Sequence, residues 1–84
     1  MTHAVEILRT AQKEIARLDR SSQFRIIAAI RQLGKDPRPS GCKKLSGRAA
    51  WRIRIGSYRV IYEIHDDRLL VLVVTVGDRK DVYR

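Results

Sequence analysis

Arg52, Arg54 and Arg59 sit in the run Trp51-Arg52-Ile53-Arg54-Ile55-Gly56-Ser57-Tyr58-Arg59-Val60-Ile61-Tyr62, at a spacing suited to holding an anion. Side chains in an extended strand alternate between faces, so Trp51, Ile53 and Ile55 share one side while Arg52 and Arg54 share the other. Gly56-Ser57 reads as the two-residue loop of a type II′ hairpin, because glycine stands first. That turn predicts the pairs Ile55 with Tyr58, Arg54 with Arg59, Ile53 with Val60, and Trp51 with Tyr62. Every apolar residue then meets an apolar partner, at the cost of two arginines directly opposite each other. A phosphate between them relieves the repulsion; the plainer alternative is a solvated face on which long arginines splay apart.

Other chemistries find little support. His3 and His65 are the only histidines and Cys42 the only thiol, and no group of His, Cys, Asp or Glu has metal-ligand spacing. His65 beside Asp66 and Asp67 reads as a solvated turn residue, and Cys42 as an inert loop cysteine. No glycine-rich phosphate loop occurs, and no metal or cofactor is expected. Trp51, Tyr58 and Tyr62 fall on the apolar face and read as core rather than as base-stacking platforms.

The hairpin needs a scaffold, and the flanking sequence supplies its pieces. Residues 3–8 alternate weakly and predict a short edge strand. Ala11, Ile15 and Leu18 recur at helical spacing with Thr10 as N-cap. Ser21 or Ser22 caps a second helix whose apolar stripe is Phe24, Ile27, Ile30 and Leu33, broadened by Ile26, with Arg25, Arg31 and Lys35 outward. Gly34 and Asp36-Pro37 end it. Residues 38–47 read as a basic connector, and residues 69–76, apolar on both faces, as a central strand. The order β-α-α-β-β-β predicts an α+β domain, two N-terminal helices packed on an antiparallel sheet.

At 84 residues the chain has room for one modest core, a single domain over residues 1–84. Its 44% hydrophobic and 32% charged residues are those of a folded protein. Eighteen Lys and Arg against 9 Asp and Glu give a net charge of +9, which points to nucleic acid or an acidic protein partner. The charge has an address. No acidic residue occurs between Asp36 and Glu63, where Arg38, Lys43, Lys44, Arg48, Arg52, Arg54 and Arg59 all fall. That stretch is loop and strand rather than a basic amphipathic helix, so no membrane partner is expected. With no signal-like or membrane-spanning segment and a lone cysteine, a cytoplasmic location is expected.

Several segments together resemble the RelE/ParE superfamily of bacterial toxins: Asp36-Pro37-Arg38-Pro39, Lys44-Leu45-Ser46-Gly47, Trp51-Arg52-Ile53-Arg54, Gly56-Ser57-Tyr58-Arg59-Val60-Ile61-Tyr62, and Val76-Gly77-Asp78-Arg79-Lys80-Asp81-Val82-Tyr83. The resemblance covers nearly the whole chain and implies a RelE-like fold. RelE-type members carry a paired basic strand, an arginine after the hairpin turn, and a late arginine followed by a near-terminal tyrosine. Arg52 and Arg54, Arg59, then Arg79 and Tyr83 match those positions. The resemblance therefore implies a toxin that cuts mRNA in the ribosomal A site and inhibits translation. Two departures are arginine where the strand pair is often lysine, and a sequence that stops just after Tyr83.

The implied reaction is attack of an RNA 2′-hydroxyl on the adjacent phosphate, giving a 2′,3′-cyclic phosphate and a 5′-hydroxyl without a metal. Arg54 and Arg59 are the expected clamp on the charged transition state, with Arg52 positioning the backbone. A guanidinium with a pKa above about 12 is a poor base, so Tyr83, ordinarily near 10 and lowered by neighbouring cations, is the expected base or else a stacking group. Arg79 is expected at the leaving oxygen. Lys43, Lys44 and Arg48 are expected to bind ribosomal RNA or an acidic antitoxin. The implied partners are a cognate antitoxin, the ribosome with its mRNA, and operator DNA through the antitoxin complex. The alternatives are a ParE-like toxin that inhibits DNA gyrase by binding, and a noncatalytic basic binding module.

Overall fold

The computed structural model describes residues 2–78. The chain runs β1 (Ala4–Ile7), α1 (Arg9–Ala16), α2 (Arg20–Lys35), β2 (Lys43–Lys44), β3 (Trp51–Ile55), β4 (Tyr58–His65), a 3-10 turn (Asp66–Arg68) and β5 (Leu70–Asp78). The five strands form one sheet in the order β1-β5-β4-β3-β2. An α+β fold with both helices packed on the sheet is as expected. The sheet itself is mixed rather than wholly antiparallel, because β1 pairs with β5 in parallel.

Edge strand β1 lies where the alternation put it, and β5 is interior, hydrogen-bonded on both sides. The connector, however, contains a strand: Lys43 pairs with Arg52 and Lys44 with Trp51. Two residues are too few to show a period, so the pairing is imposed by the free edge of β3 rather than by local pattern. Helix α1 also starts earlier than expected, with Leu8 as N-cap instead of Thr10. The ladder carries on to Leu8, whose N–H donates to the Val73 carbonyl at 2.9 Å, and the chain turns into helix at once.

The cap of α2 is Asp19 rather than Ser21 or Ser22. Its carboxylate accepts from the Ser22 N–H at 3.1 Å and from Ser22 Oγ at 2.6 Å, and those bonds hold its pKa below the ordinary carboxylate value. Ile26, Ile30 and Leu33, at i, i+4 and i+7, form the buried stripe. They meet Ala11 and Ile15 of α1 and Ile53, Val60, Tyr62, Val71, Val73 and Val76 of the sheet in a single core. Phe24 is not part of that stripe: it lies about 200° around the helix from Ile26 and is 78% exposed. Gly34 allows α2 to approach β1, since a Cβ there would come within 2.9 Å of the His3 carbonyl oxygen.

One polar contact serves an irregularity in the ladder. Strand β5 carries one residue more than β4 between the pairs Ile61↔Thr75 and Tyr62↔Val73, leaving Val74 as a bulge. Glu14 of α1 accepts from the Val76 N–H at 3.0 Å and from Thr75 Oγ1 at 2.9 Å, so the donors beside the bulge are satisfied by a side chain.

Asp66 ties three segments at the far end of the sheet. Its oxygens accept from Arg38 Nη2 at 2.9 Å and face His3 Nε2 at 3.0 Å. The Arg38 guanidinium first, then His3, holds the Asp66 carboxyl below its ordinary value. A carboxylate depressed in the folded state stabilises the fold above its unfolded pKa, near 3.9, and that contribution is lost as pH falls through the lower folded value. Asp66→Asn is therefore expected to lower the urea midpoint at pH 7, with the difference from wild type shrinking by pH 3. An equal difference at both pH values would contradict the ion pair.

Candidate nucleic-acid interface

The hairpin adopts the register expected from its alternation. Ile55 faces Tyr58, Arg54 faces Arg59, Ile53 faces Val60, and Trp51 faces Tyr62. Gly56 has φ of +60° whereas Ser57 is not in the positive region, the signature of a type II′ turn. The positive φ is what calls for glycine; a Cβ on Gly56 would in addition displace the guanidinium of Arg25, the mobile end of a long side chain that reaches from α2 over the turn. Gly56→Ala is expected to cost about 1–3 kcal/mol, read as a lower urea midpoint at unchanged m-value. An unchanged midpoint would contradict the turn conformation.

Core residues Val60, Tyr62 and Ile64 of β4 point to the helices, so Arg59, Ile61, Glu63 and His65 point to the opposite face. Arg54 stands across from Arg59, and Arg52 across from Ile61, with Lys43 next in the same row. Directly opposed residues place their Cβ atoms about 5 Å apart, which concentrates two positive charges at one point of this face. On the other side of Arg59 lies Gly77, with no side chain to compete for space.

The three arginines are not equivalent. Arg54 is exposed, whereas Arg52 is 7% and Arg59 only 1% exposed. Two of the three expected phosphate-binding arginines thus lie along the sheet, Arg52 beside the buried Ile61, with their aliphatic stems covering apolar surface. Arg54 offers hydrogen bonds to an incoming anion. Its buried neighbours contribute charge where the dielectric is low and screening weak.

Lys43, Lys44 and Arg48 are all exposed along the β2 edge and the loop that follows it; Lys43 continues the arginine row, whereas Lys44, opposite Trp51, belongs to the other face. Arg79 and Tyr83 lie outside the described residues. Trp51 and Tyr58 pack against the core, and Tyr62 is fully buried in it. Burial and the nearby Cys42 push the Tyr62 phenol far up, and its hydroxyl donates to the Pro37 carbonyl at 2.8 Å. It stays protonated and cannot act as a base. Arg38 covers the Trp51 ring at 5.3 Å, closing that aromatic face to a base.

Two features were missed by sequence reasoning. His65 is not simply a solvated turn residue: its Nε2 stands 2.9 Å from Glu63 Oε1, on the arginine face but toward the far end of β4. The i, i+2 spacing in a strand was the available signal. Arg25 reaches the hairpin turn from a helix, which no local pattern records. Cys42 lies in the loop before β2, as expected, with its side chain packed against the core. Among the described residues, no group of three or more His, Cys, Asp or Glu could hold a metal ion, and no helix is long and apolar enough to cross a membrane.

Comparison with known proteins adds the lineage. A family model described as the ParE toxin of type II toxin-antitoxin systems, parDE, matches residues 5–83. An Escherichia coli protein classed as a RelE-like toxin is 26% identical over 87 residues, spanning 99% of this chain and 92% of the relative. The archaeal RelE–RelB complex from Pyrococcus horikoshii contains a chain that superposes with a TM-score of 0.84 at 26% identity, covering 94% of this chain and 97% of that one. A mutant of the E. coli toxin RelE in the free state gives 0.82 at 25% identity, covering 99% and 92%.

Proposed function

The chain belongs to the ParE toxin family of type II toxin-antitoxin systems, and from that membership we propose that it is the toxin of a RelBE-type pair that cleaves mRNA in the ribosomal A site. The observation that carries this reading is the row Lys43, Arg52, Arg54 and Arg59 on the sheet face turned away from the helices, with Arg54 and Arg59 in direct register. An RNA phosphodiester under attack by its own 2′-hydroxyl gains negative charge, and preorganised guanidinium donors stabilise it more than they stabilise the ground state. Arg54 makes the first contact, Arg59 supplies charge from beneath, and Arg52 fixes the backbone. Arg79 attends the leaving oxygen and Tyr83 takes the proton of the nucleophile or stacks on a base. The ribosome supplies the bent substrate geometry that the small toxin surface does not.

An antitoxin is the second partner. The related RelE toxins from P. horikoshii and E. coli are seen in complexes with RelB, and the basic face offers an acidic protein its counterpart. The complex then reaches operator DNA through the antitoxin. The description of the matching family as ParE favours one other reading, a toxin that binds DNA gyrase.

Incubating the purified protein with mRNA-programmed ribosomes, and separately with gyrase and plasmid DNA, tests the two. Cleaved mRNA bearing a 2′,3′-cyclic phosphate, with supercoiling unaffected, is the expected result. Intact mRNA with inhibited supercoiling would transfer the protein to the gyrase-directed class.

A further inference from the structure

The bulge in β5 decides which residue stands beside Arg59. Counting on from the pair Tyr62↔Val73, an unbroken antiparallel ladder would set Val74 against Ile61, Thr75 against Val60 and Val76 against Arg59. The extra residue shifts each rung by one, so that Thr75 meets Ile61, Val76 meets Val60 and Gly77 meets Arg59. Because side chains alternate between faces, one inserted residue exchanges the two faces for the strand that follows it. Val76 therefore enters the core, where it is 2% exposed, instead of standing on the arginine face. The place next to Arg59 falls to a residue with no side chain.

The clamp on this bulge comes from outside the sheet. Strand β1 ends at Ile7, and Leu8 makes the next rung, its N–H donating to the Val73 carbonyl. Past that rung Glu14, the only acidic residue of α1, takes over as the partner of β5. Its Oε1 accepts from the Val76 N–H at 3.0 Å and from Thr75 Oγ1 at 2.9 Å, and its Oε2 lies 3.1 Å from the same hydroxyl. Both donors belong to the two residues that follow the bulged Val74. Helix α1 is itself seated in the core through Ala11 and Ile15, so the carboxylate is held from a fixed base. Without it the N–H of the buried Val76 has no acceptor, and the end of β5 must move to reach water. Gly77 moves with it.

We infer that Glu14 is a positioning residue for Arg59: acting through the bulge, it keeps Gly77 beside that arginine and so holds the guanidinium where the charge of the transition state develops. This rests on the mRNA-cleaving reading above. Glu14 touches no RNA, since α1 lies on the helix side of the sheet and Arg59 points to the opposite face. A carboxylate on one side of the molecule thus sets the geometry of a cationic site on the other.

The test follows mRNA cleavage against the concentration of programmed ribosomes for the full-length variants Glu14→Ala, Glu14→Gln and Gly77→Val, with urea unfolding of each preparation. Glu14→Ala is expected to lower the saturating rate about 10²-fold, as a displacement of about 1 Å does, while the half-saturating ribosome concentration stays within about twofold. Glu14→Gln keeps an oxygen that accepts from the Val76 N–H and is expected to restore most of the rate. The Val76 amide proton should exchange faster with solvent in Glu14→Ala and remain protected in Glu14→Gln. A folded Glu14→Ala that cleaves at the wild-type rate would overturn the positioning role and leave mRNA cleavage standing. The same holds for a loss confined to the half-saturating concentration, or one equally large in Glu14→Gln. Should Glu14→Ala not fold, Gly77→Val decides, because Gly77 has no positive φ and the valine puts beside Arg59 the side chain that the unbroken ladder would place there. Its rate is expected to fall with the fold retained, and a wild-type rate would overturn the inference. A wild-type protein that leaves the mRNA intact would overturn the reading on which it rests.

Discussion

Arg54→Ala is expected to lower ribosome-dependent mRNA cleavage by about 10²–10³-fold, the loss associated with removing one donor from a preorganised site for developing negative charge. The same change should leave stability within about 0.5 kcal/mol, because Arg54 is an exposed residue of β3. It even removes the like-charge opposition to Arg59, so a small gain is the physical expectation. Arg54→Lys retains the charge but loses the planar fork and is expected to recover only part of the rate. Single-turnover cleavage on programmed ribosomes, paired with urea unfolding of the same preparations, separates chemistry from folding. Wild-type cleavage by Arg54→Ala would remove this residue from the site. Arg59 gives the contrast: at 1% exposure its truncation is expected to damage both the rate and the fold.

Ile30→Ala is the change expected to cost most in stability, about 2–5 kcal/mol. Ile30 is buried in the stripe of α2 that meets α1 and the sheet, and a chain of this length commands only about 5–10 kcal/mol in all. The apparent melting temperature should drop by at least about 8 °C, at roughly 4–8 °C for each kcal/mol. Circular dichroism melts with matched urea titrations measure it. A loss below about 1 kcal/mol would mean that α2 is not seated on the sheet at this point. Phe24→Ala, six residues earlier and about 120° around the same helix, makes the natural control.

The pair of α2 positions also shows where sequence reasoning ran out. Phe24, Ile27, Ile30 and Leu33 obey a helical period as well as Ile26, Ile30 and Leu33 do. Only the packing partner decides which stripe turns inward, and that partner is distant in sequence. Periodicity located the helix and most of its core, and mistook one apolar residue for buried. The hairpin was legible in full because its information is local: the alternation and Gly56-Ser57 fix turn type and register together. Nothing local fixes the direction of β1 against β5, and two lysines cannot announce β2. Glu14 reaching the bulge at Val74 is likewise a contact between residues some sixty positions apart.

For the candidate site, the shared face of the three arginines was legible and their exposure was not. Arg52, Arg54 and Arg59 share one face, as alternation requires. That Arg54 alone among them is exposed depends on the neighbours each one meets, such as Ile61 opposite Arg52, which only the assembled sheet supplies. The arginine row expected from the alternation is therefore one exposed contact backed by two buried charges.

The most direct measurement is primer extension on a translated mRNA after induction of the protein, with Arg54→Ala beside wild type. Cuts confined to translated regions and falling within codons, present for wild type and absent for Arg54→Ala, are the expected result. Intact message during growth arrest, or cuts that persist unchanged in Arg54→Ala, would contradict an mRNA-cleaving toxin built on this arginine face.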